Sequence, residues 1–234
     1  MYSIILPSYN ESENLNLIID KICLLLKQIN FEIIIVDDSS DDDTESIINK
    51  KKKIFNNITF IKRATEKRSL AKSIYDGVLA SKGNFIIIMD CDFNHNPDYL
   101  LNIIYLNDKF NYDLICCSRY VEKKTKIKEL RYKLSKLYNY FIRFALGSSI
   151  YDNLSGFFLI KKDILKLIDN KKVFFGYGDY YFRLLFFLQK MNLKIYEYPI
   201  IYDKRKFGQS KTKFLKIFYK YTFELIKFIY NEKY

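Results

Sequence analysis

The sequence predicts an α/β fold in which a mostly parallel sheet is flanked by helices on both faces. Short apolar runs rich in β-branched residues alternate with longer segments of helical periodicity along the first half of the chain. These runs are nearly uninterrupted, which is typical of strands buried on both faces of a parallel sheet. The chain has 234 residues, of which 49% are hydrophobic, so it is long enough to enclose a large core.

Predicted strands and helices alternate regularly through the first half. Strands are predicted at Ser3–Pro7, Phe31–Val36, Ile58–Lys62, Phe85–Met89 and Asp113–Cys117. Helices are predicted after Asn10, at Asp43–Lys52, at Leu70–Ala80 and near Pro97–Leu106. Asn10 is followed three residues later by Glu13, which resembles a capping box and predicts Asn10 as the N-cap of the first helix.

The second half is predicted to elaborate the same domain. A basic stretch at Lys123–Lys136 is expected to become helical in its later part, and Asp152–Lys162 to be a loop that leads into a strand. A helix, a strand, a loop and a final helix follow at Tyr177–Met191, Leu193–Ile201, Asp203–Lys211 and Thr212–Tyr230. Because no linker interrupts the chain, we expect one domain over residues 1–234, with a first half at 1–120, a second half at 121–211 and a C-terminal helix at 212–234.

The net charge of +12 indicates an anionic partner: a nucleic acid, an anionic membrane or a phosphorylated substrate. An AT-rich genome would also give a composition rich in Lys, Ile and Asn. The four cysteines, Cys23, Cys91, Cys116 and Cys117, lack metal-ligand spacing, which favours free thiols in a reducing compartment. No apolar run approaches the roughly 18 to 20 residues that span a bilayer, and a strand starting at Tyr2 leaves no room for a signal peptide.

Acidic residues occupy three of the four strand ends where ligands bind in open α/β sheets. In Asp90-Cys91-Asp92, the two carboxylates at i and i+2 share one face of an extended segment. Two like charges so placed are costly unless a cation lies between them, and Mg²⁺ or Mn²⁺ prefers such oxygen ligands. The alternative is a solvated acidic turn, since this tripeptide pattern is common.

A second acidic strand end is Asp37-Asp38. A carboxylate here can accept hydrogen bonds from the base or ribose of a nucleotide, and we expect Asp38 to do so. The run Asp41–Asp43 that follows suits the positive N-terminus of the next helix instead.

Six ordered segments resemble glycosyltransferase family 2 with the GT-A fold, and within it the dolichol-phosphate (polyprenol-phosphate) mannosyltransferases. They are Ile5–Glu11, Val36–Ser40, Met89–Pro97, Ser118–Tyr120, Asp152–Phe158 and Phe207–Lys211, and the resemblance extends to about Lys213. The chain departs from the family where glycines are usual, at Ser39 and Asp43 and near Ser69 and Ala71. These departures restrict the loop backbone on the donor side and so bear on which nucleotide sugar is used.

The resemblance implies a site residue by residue. The nucleotide base and ribose would meet Pro7, Tyr9, Glu11, Val36 and Asp38. The donor diphosphate and a divalent cation would meet Asp90, Cys91 and Asp92, with Asp90 and Asp92 as metal ligands and Cys91 contributing backbone alone. Phosphate oxygens would meet Arg119, Arg205 and Lys211, and the acceptor phosphate would meet Arg131, Ser135 and Asn139, whose spacing places them on one helix face. Asp92, Arg119 and Arg131 would act on the reaction itself.

The implied reaction is inverting transfer of a hexose, with GDP-mannose as the expected donor, to a polyprenyl (dolichyl) phosphate. A phosphate monoester has a second pKa of about 6, so near pH 7 it is a dianionic nucleophile that needs no general base. This suits a chain with one histidine, His95, which we expect to hold its loop by hydrogen bonding. Asp179 is the carboxylate candidate if a base is required.

Alternative functions differ in donor and in class. UDP-glucose or another nucleotide sugar, with a glycan or lipid acceptor, is the second enzyme hypothesis. A catalytically silent nucleotide-binding module and a nucleic-acid-binding protein are the others. The charge alone favours nucleic acid, but carboxylates at the strand ends and the lack of an RRM or KH motif argue against it.

The final helix predicts contact with a membrane surface. Apolar residues recur at helical spacing beside lysines in one sector, namely Phe214, Ile217, Phe218, Tyr221, Leu225 and Phe228 with Lys213, Lys216, Lys220 and Lys227. Such a helix either lies on an anionic membrane or packs on its own domain. We expect a peripheral protein on the cytoplasmic face, or one held there by a small membrane subunit. The basic loop Asp203–Lys211 is expected to be loose without ligand and to close over the donor diphosphate.

Overall fold

Strands and helices alternate along the chain in a computed structural model that describes residues 1–64, 67–122, 129–203, 205–208 and 214–233. The strands are β1 (Tyr2–Ser8), β2 (Phe31–Asp37), β3 (Ile58–Lys62), β4 (Phe85–Ile88), β5 (Leu114–Ser118), β6 (Phe158–Lys161) and β7 (Ile195–Pro199). The helices are α1 (Ser12–Leu25), α2 (Thr44–Lys52), α3 (Leu70–Ala80), α4 (Tyr99–Phe110), α5 (Glu129–Leu146), α6 (Lys162–Leu165), α7 (Asn170–Val173), α8 (Tyr180–Gln189) and α9 (Phe214–Lys233).

The strands of the described residues form one mixed sheet in the order β3-β2-β1-β4-β6-β5-β7. Strands β1 to β4 run parallel, and β7 runs parallel to β5. Strand β6 lies between β4 and β5 and runs antiparallel to both. The predicted mostly parallel sheet is therefore confirmed. A strand after the loop at Asp152 was expected, but the sequence pattern indicated neither the reversed direction of β6 nor its place between β4 and β5.

Both faces of the sheet are covered, which explains the uninterrupted apolar strands. On one face, Ile4 and Leu6 of β1 pack with α1 and α4, and on the other Ile5 packs with α3 and α8. Gly77 of α3 permits this closeness, because a Cβ at that position would lie 2.5 Å from Cγ2 of Ile5. A third apolar cluster joins α5, α8 and α9 through buried Tyr138, Ile142, Phe182, Tyr221, Leu225 and Phe228.

The first helix begins later than the capping pattern predicts. Helix α1 starts at Ser12, with Glu11 as N-cap and no side-chain capping hydrogen bond. Asn10 has a positive φ of 50°, and its side chain pairs with Asp41 instead. The prediction of Asn10 as N-cap is therefore wrong, because the chain needs that residue to turn from β1 into the helix.

Helix α9 packs on the domain along the face that carries Tyr221, Leu225 and Phe228. The packing alternative is thus correct for this face. The opposite face leaves Tyr219, Phe223, Ile226 and Tyr230 exposed, with half-exposed Phe218 at its margin. The helix is therefore apolar on two sides, and the side chains of residues 213–216 lie outside the described part of the chain.

A buried ion pair fixes the segment before α8. Arg183 and Asp179 are both fully buried, and Nη1 of Arg183 lies 2.5 Å from Oδ2 of Asp179. The same guanidinium donates to the carbonyls of Val173 and Phe175. The hypothesis that Asp179 could serve as a general base is wrong, because its carboxylate is enclosed and neutralised inside the fold.

Replacing Arg183 by Met should lower the free energy of unfolding by about 3 to 5 kcal/mol, because the Asp179 carboxylate would stay buried without its partner. Urea unfolding followed by circular dichroism measures this. Lys166→Ala is the control: Lys166 forms an exposed pair with Asp163 and should cost about 1 kcal/mol or less. Equal, small losses in both variants would contradict a structural role for the buried pair.

Candidate active site

The carboxyl ends of β1, β2, β4 and β5 lie at one edge of the sheet and bring the acidic motifs together. Backbone bonds join the strand ends: the Asp38 N–H donates to the Ser8 carbonyl at 2.8 Å. The Met89 N–H, just before the Asp90-Cys91-Asp92 segment, donates to the Ile5 carbonyl at 3.3 Å. The location of the candidate site at this edge agrees with the strand-end prediction.

The centre of the site is formed by three carboxylates and an arginine. Arg205 reaches across from the segment after β7 and bridges two of the carboxylates. Its Nη1 lies 2.7 Å from Oε1 of Glu11, and its Nη2 lies 2.5 Å from Oδ2 of Asp92. Asp90 lies close enough to interact electrostatically with Asp92, Glu11 and Arg205. Four predicted site residues from three separate parts of the sequence are thus brought together.

The two aspartates of the motif are held differently. Asp92 is almost enclosed, and Asn94 donates to both of its oxygens, from the backbone N–H and from Nδ2, each at 2.9 Å. Asp90 keeps 48% of its side chain exposed. Cys91, between them, points into the core, with its Sγ 3.6 Å from the Pro7 carbonyl. Cys91 can therefore offer only its backbone to a ligand, as expected.

The electrostatics of this pair favour a cation. Partial desolvation in the crowded site, opposed by the charge of Arg205 and reinforced by that of Glu11, raises the pKa of Asp90 above its ordinary value. Burial and the neighbouring charge of Asp90 raise the pKa of Asp92. A positive charge placed between the two carboxylates therefore stabilises their ionised forms.

The donor set fits a hard divalent ion that is shared with a ligand. Within the described ranges, no three His, Cys, Asp or Glu side chains converge as a complete metal-binding group. Asp90 and Asp92 supply carboxylate oxygens, which Mg²⁺ and Mn²⁺ prefer, and such ions commonly take their remaining ligands from phosphates and water. The residues present thus suit a cation that binds together with a diphosphate.

His95 organises by hydrogen bonding the segment Met89–Pro97, here called the metal segment after its predicted ligands Asp90 and Asp92. Its Nδ1 accepts from the Asp90 N–H at 2.9 Å, which assigns the ring proton to Nε2, 2.7 Å from the Tyr202 hydroxyl. Tyr202 in turn donates to the Ser155 carbonyl at 2.9 Å. Burial lowers the pKa of His95 to about 4, so the ring is neutral and the direction of this chain is fixed.

Arg119 lies beside this network in an internal ion pair. Its Nε and Nη2 each lie 2.7 Å from an oxygen of Asp152, which is fully buried. The guanidinium also lies 4.7 Å from the Tyr202 ring centroid. Two of its nitrogens are thus committed to the fold, and the contact of Arg119 with a phosphate stays a prediction.

The expected nucleotide-binding residues differ in how their side chains are placed at the candidate site. Asp38 accepts from Arg63 and from the Ser69 N–H, the latter at 2.7 Å. Tyr9 lies under the guanidinium of Arg68, with 3.6 Å between Cζ and the ring centroid. The prediction for Val36 needs a correction: its side chain is fully buried against α3, so only its backbone could meet a ligand.

Arg63 and Arg68 are the residues that the sequence reasoning missed. Arg63 follows β3, whose carboxyl end lies at the same edge as those of β1 and β2, and it also pairs with Asp76 at 2.8 Å. Their position as basic residues just after a predicted strand was the signal that could have identified them.

The acceptor residues lie on α5, but their side chains are not equivalent. Ser135 is half-buried and accepts from the Tyr120 hydroxyl at 2.7 Å. Asn139 is buried, and its amide accepts from the Asn153 N–H at 2.7 Å and donates to the Ser135 carbonyl at 3.0 Å. Asn139 thus joins α5 to the loop before β6. The side chain of Arg131, and Lys211 as a whole, lie outside the described residues.

The described part of the loop after β7 contacts the site through its backbone and through Arg205. The Asp203 N–H donates to the Asn94 carbonyl at 3.2 Å, and Nδ2 of Asn14 donates to the Phe207 carbonyl at 3.3 Å. Together with Arg205, these bonds hold the segment in place. That this loop is loose without ligand and closes over the donor diphosphate stays a prediction; among the described residues, Arg205 contacts two carboxylates of the site.

Replacing Tyr202 by Phe should lower the free energy of unfolding by about 1 to 3 kcal/mol, because the buried Nε2–H of His95 loses its acceptor while the ring packing is kept. Thermal and urea unfolding measure the loss. Tyr219→Phe, at an exposed position of α9, removes a hydroxyl from the surface and should change stability by about 0.5 kcal/mol or less. Wild-type stability of Tyr202→Phe would mean that the hydroxyl does not anchor His95.

Comparisons with known proteins agree with the geometry. Dolichol-phosphate mannosyltransferase of Pyrococcus furiosus is 29% identical over 98% of this chain and 62% of its own length. Polyprenol monophosphomannose synthase of Mycolicibacterium smegmatis is 29% identical over 89% of this chain and 79% of its own. The chain thus spans less than two thirds of the first of these relatives.

The fold is shared with a solved enzyme structure. Glucosyl-3-phosphoglycerate synthase from Mycobacterium tuberculosis, in complex with Mn²⁺, UDP and phosphoglyceric acid, superposes with a TM-score of 0.73, covering 98% of this chain and 77% of that one. The two are 16% identical, and the likeness shows a GT-A-like fold alone. Residues 3–168 match the model of the family described as Glycosyl transferase family 2. Since this match covers more than half of the sequence, the chain belongs to glycosyltransferase family 2.

Proposed function

We propose that this chain catalyses the inverting transfer of a hexose, mannose from GDP-mannose, to a polyprenyl phosphate. The observation that carries the proposal is the group of Glu11, Asp90, Asp92 and Arg205 at the carboxyl edge of the sheet. It places carboxylates that would hold a cation, and a positive charge, where a nucleotide diphosphate would leave. The names of the two relatives support a polyprenol-type phosphate acceptor and mannose as the sugar.

The donor would lie along the strand ends. Asp90 and Asp92 would hold a divalent cation, Mg²⁺ or Mn²⁺, which when bound supplies positive charge to the leaving diphosphate. The M. tuberculosis structures that contain Mn²⁺ or Mg²⁺ with UDP support this class of ion. Asp38 would orient the ribose, and the stacked pair of Tyr9 and Arg68 would lie beside the base.

The acceptor needs to be oriented rather than deprotonated. A phosphate monoester is already dianionic near pH 7. Two groups considered as a base are unsuited to that role, because His95 is held neutral in its network and Asp179 is buried with Arg183. Arg131 and Ser135 on α5 would bind the acceptor phosphate, with Arg119 and Asn139 positioning the adjoining loop.

A lipid acceptor requires the site to face a membrane, and two adjacent helices offer an apolar surface. Helix α5 exposes residues spaced along one stripe: Leu130, Leu134, Leu137, Phe141 and Phe144. Helix α9, which packs beside it, exposes Tyr219, Phe223, Ile226 and Tyr230. Combined with a net charge of +12, these stripes suit peripheral contact with an anionic bilayer. Within the described ranges, no helix combines the length and the apolar character that a bilayer crossing needs.

The cytoplasmic face is the proposed location, in keeping with the four free cysteines. A small membrane subunit seated on the same apolar stripes is the alternative means of attachment.

A UDP-sugar donor is the second candidate. The M. tuberculosis structures include complexes with UDP-glucose, and this chain has Ser39 and Ser69 in donor-side loops where glycines are usual. A panel of nucleotide sugars, assayed with polyprenyl phosphate and Mg²⁺ or Mn²⁺, decides between the donors. Transfer from GDP-mannose supports the first proposal, transfer from UDP-glucose alone supports the second, and no transfer from any donor contradicts both.

Asp92→Asn should lower turnover about 100- to 1000-fold with little change in stability, because it removes a charge that faces the cation at almost constant volume. Turnover at limiting metal and the unfolding curve are the measurements. Asp163→Asn, an exposed surface carboxylate, should leave turnover unchanged. Near wild-type turnover of Asp92→Asn would remove Asp92 from the metal site.

Leu137→Glu on α5 should weaken binding to anionic phosphatidylglycerol vesicles about 10-fold or more, because it replaces an exposed leucine that would insert into the bilayer by a negative charge that the lipids repel. Vesicle co-sedimentation measures this. The matched control is Leu24→Glu on α1, at a similarly exposed position away from the two stripes. Equal effects of both substitutions would argue against the α5 stripe as the membrane contact.

A further inference from the structure

Arg205 lies at the acidic centre of the candidate site. Its side chain is 20% exposed, and its guanidinium contacts Glu11 and Asp92 from two different nitrogens. An arginine is always charged, so this contact neutralises carboxylates that would otherwise repel one another. The residue is supplied by a segment far along the chain, whose backbone is also bonded to the metal segment at Asn94 and Asp92.

Arg205 contacts an oxygen of Asp92, one of the two carboxylates that would hold the cation. Oδ2 of Asp92 accepts from Nη2 of Arg205 and from Nδ2 of Asn94, and Oδ1 accepts from the Asn94 N–H. A divalent cation on this carboxylate would place two like charges within a few ångströms of each other. Arg205 and the cation therefore compete for Asp92 until an anion arrives to separate them.

We propose that Arg205 holds the place of the divalent cation on Asp92 and transfers to the nucleotide diphosphate when cation and nucleotide bind. This rests on the proposed function, and it adds that the two ligands bind interdependently because one arginine opposes the first and attracts the second. The exchange is a side-chain movement, since the bonds of Asp203 and Lys206 to the metal segment can persist while the guanidinium swings. Arg205 is thus a positioning residue whose partner changes from carboxylate to phosphate.

The chain offers a matched control for charge. Lys206 is the next residue, is exposed, and places its Nζ 4.2 Å from the Phe93 ring centroid instead of on a carboxylate. Lys206→Ala therefore removes one positive charge from the same loop without freeing Asp92. Arg205→Lys keeps the charge, but a single ammonium lacks the fork that bridges Glu11 and Asp92.

The first experiment measures Mn²⁺ binding to the full chain without nucleotide, by electron paramagnetic resonance of free Mn²⁺. Arg205→Ala should bind Mn²⁺ about 10-fold more tightly than the wild type. Arg205→Lys should lie between the two, and Lys206→Ala should stay within about 2-fold of the wild type. Unfolding curves show whether each variant is folded. If Arg205→Ala is unfolded, Arg205→Lys is compared with the wild type instead.

The second experiment measures the coupling between Mn²⁺ and nucleotide, with GDP and with UDP. Either nucleotide should tighten Mn²⁺ binding to the wild type, and Arg205→Ala should lose most of this coupling, at least about 5-fold. Unchanged Mn²⁺ affinity and unchanged coupling in the Arg205 variants would overturn the exchange. Failure of every nucleotide sugar in the transfer assay would sink the proposed function, whereas the Mn²⁺ measurements would still decide the role of Arg205.

Discussion

The organisation of this molecule depends on the accumulation of negative charge at one edge of its sheet. Parallel strands bring their carboxyl ends together, and here those ends carry Glu11, Asp38, Asp90 and Asp92. Such a group is unstable unless positive charge is delivered to it. The protein supplies arginines: Arg205 meets Glu11 and Asp92, and Arg63 meets Asp38.

Each of these arginines also connects a loop to the sheet. Arg205 brings the segment after β7 onto the metal segment, and Arg119 with Asp152 joins the end of β5 to the loop before β6. The guanidinium fork suits this task, since it holds two acceptors in a fixed geometry. The same arginine–carboxylate contacts therefore neutralise the negative charge and hold the loops. A ligand that changes the charge at the edge of the sheet also acts on these loops.

The sequence predicted what depends on local pattern. Strand positions followed from the apolar runs, and Asp90 and Asp92 could be placed at the edge because strand ends in a parallel sheet must meet there. Side-chain partners within the fold could not be predicted from local pattern. The sequence around Asp179 does not indicate that it is enclosed with Arg183, and the sequence around Asn139 does not indicate its bond to Asn153. The error at Asn10 has the same origin, because its side chain pairs across the fold with Asp41.

The reversed strand β6 has a consequence for how the molecule is assembled. Because β6 runs against its neighbours, its amino end lies at the edge where β4 and β5 finish, which delivers Asp152 and Ser155 to the candidate site. The pairing of Phe85 with Lys161 closes a long loop, and such contacts carry a larger entropic cost than neighbouring ones. Strands β1, β2 and β3 pair with strands that are near them in the chain, whereas the site gains its Ser155 anchor only once β6 lies between β4 and β5. Completion of the candidate site is thereby tied to long-range contacts of the sheet.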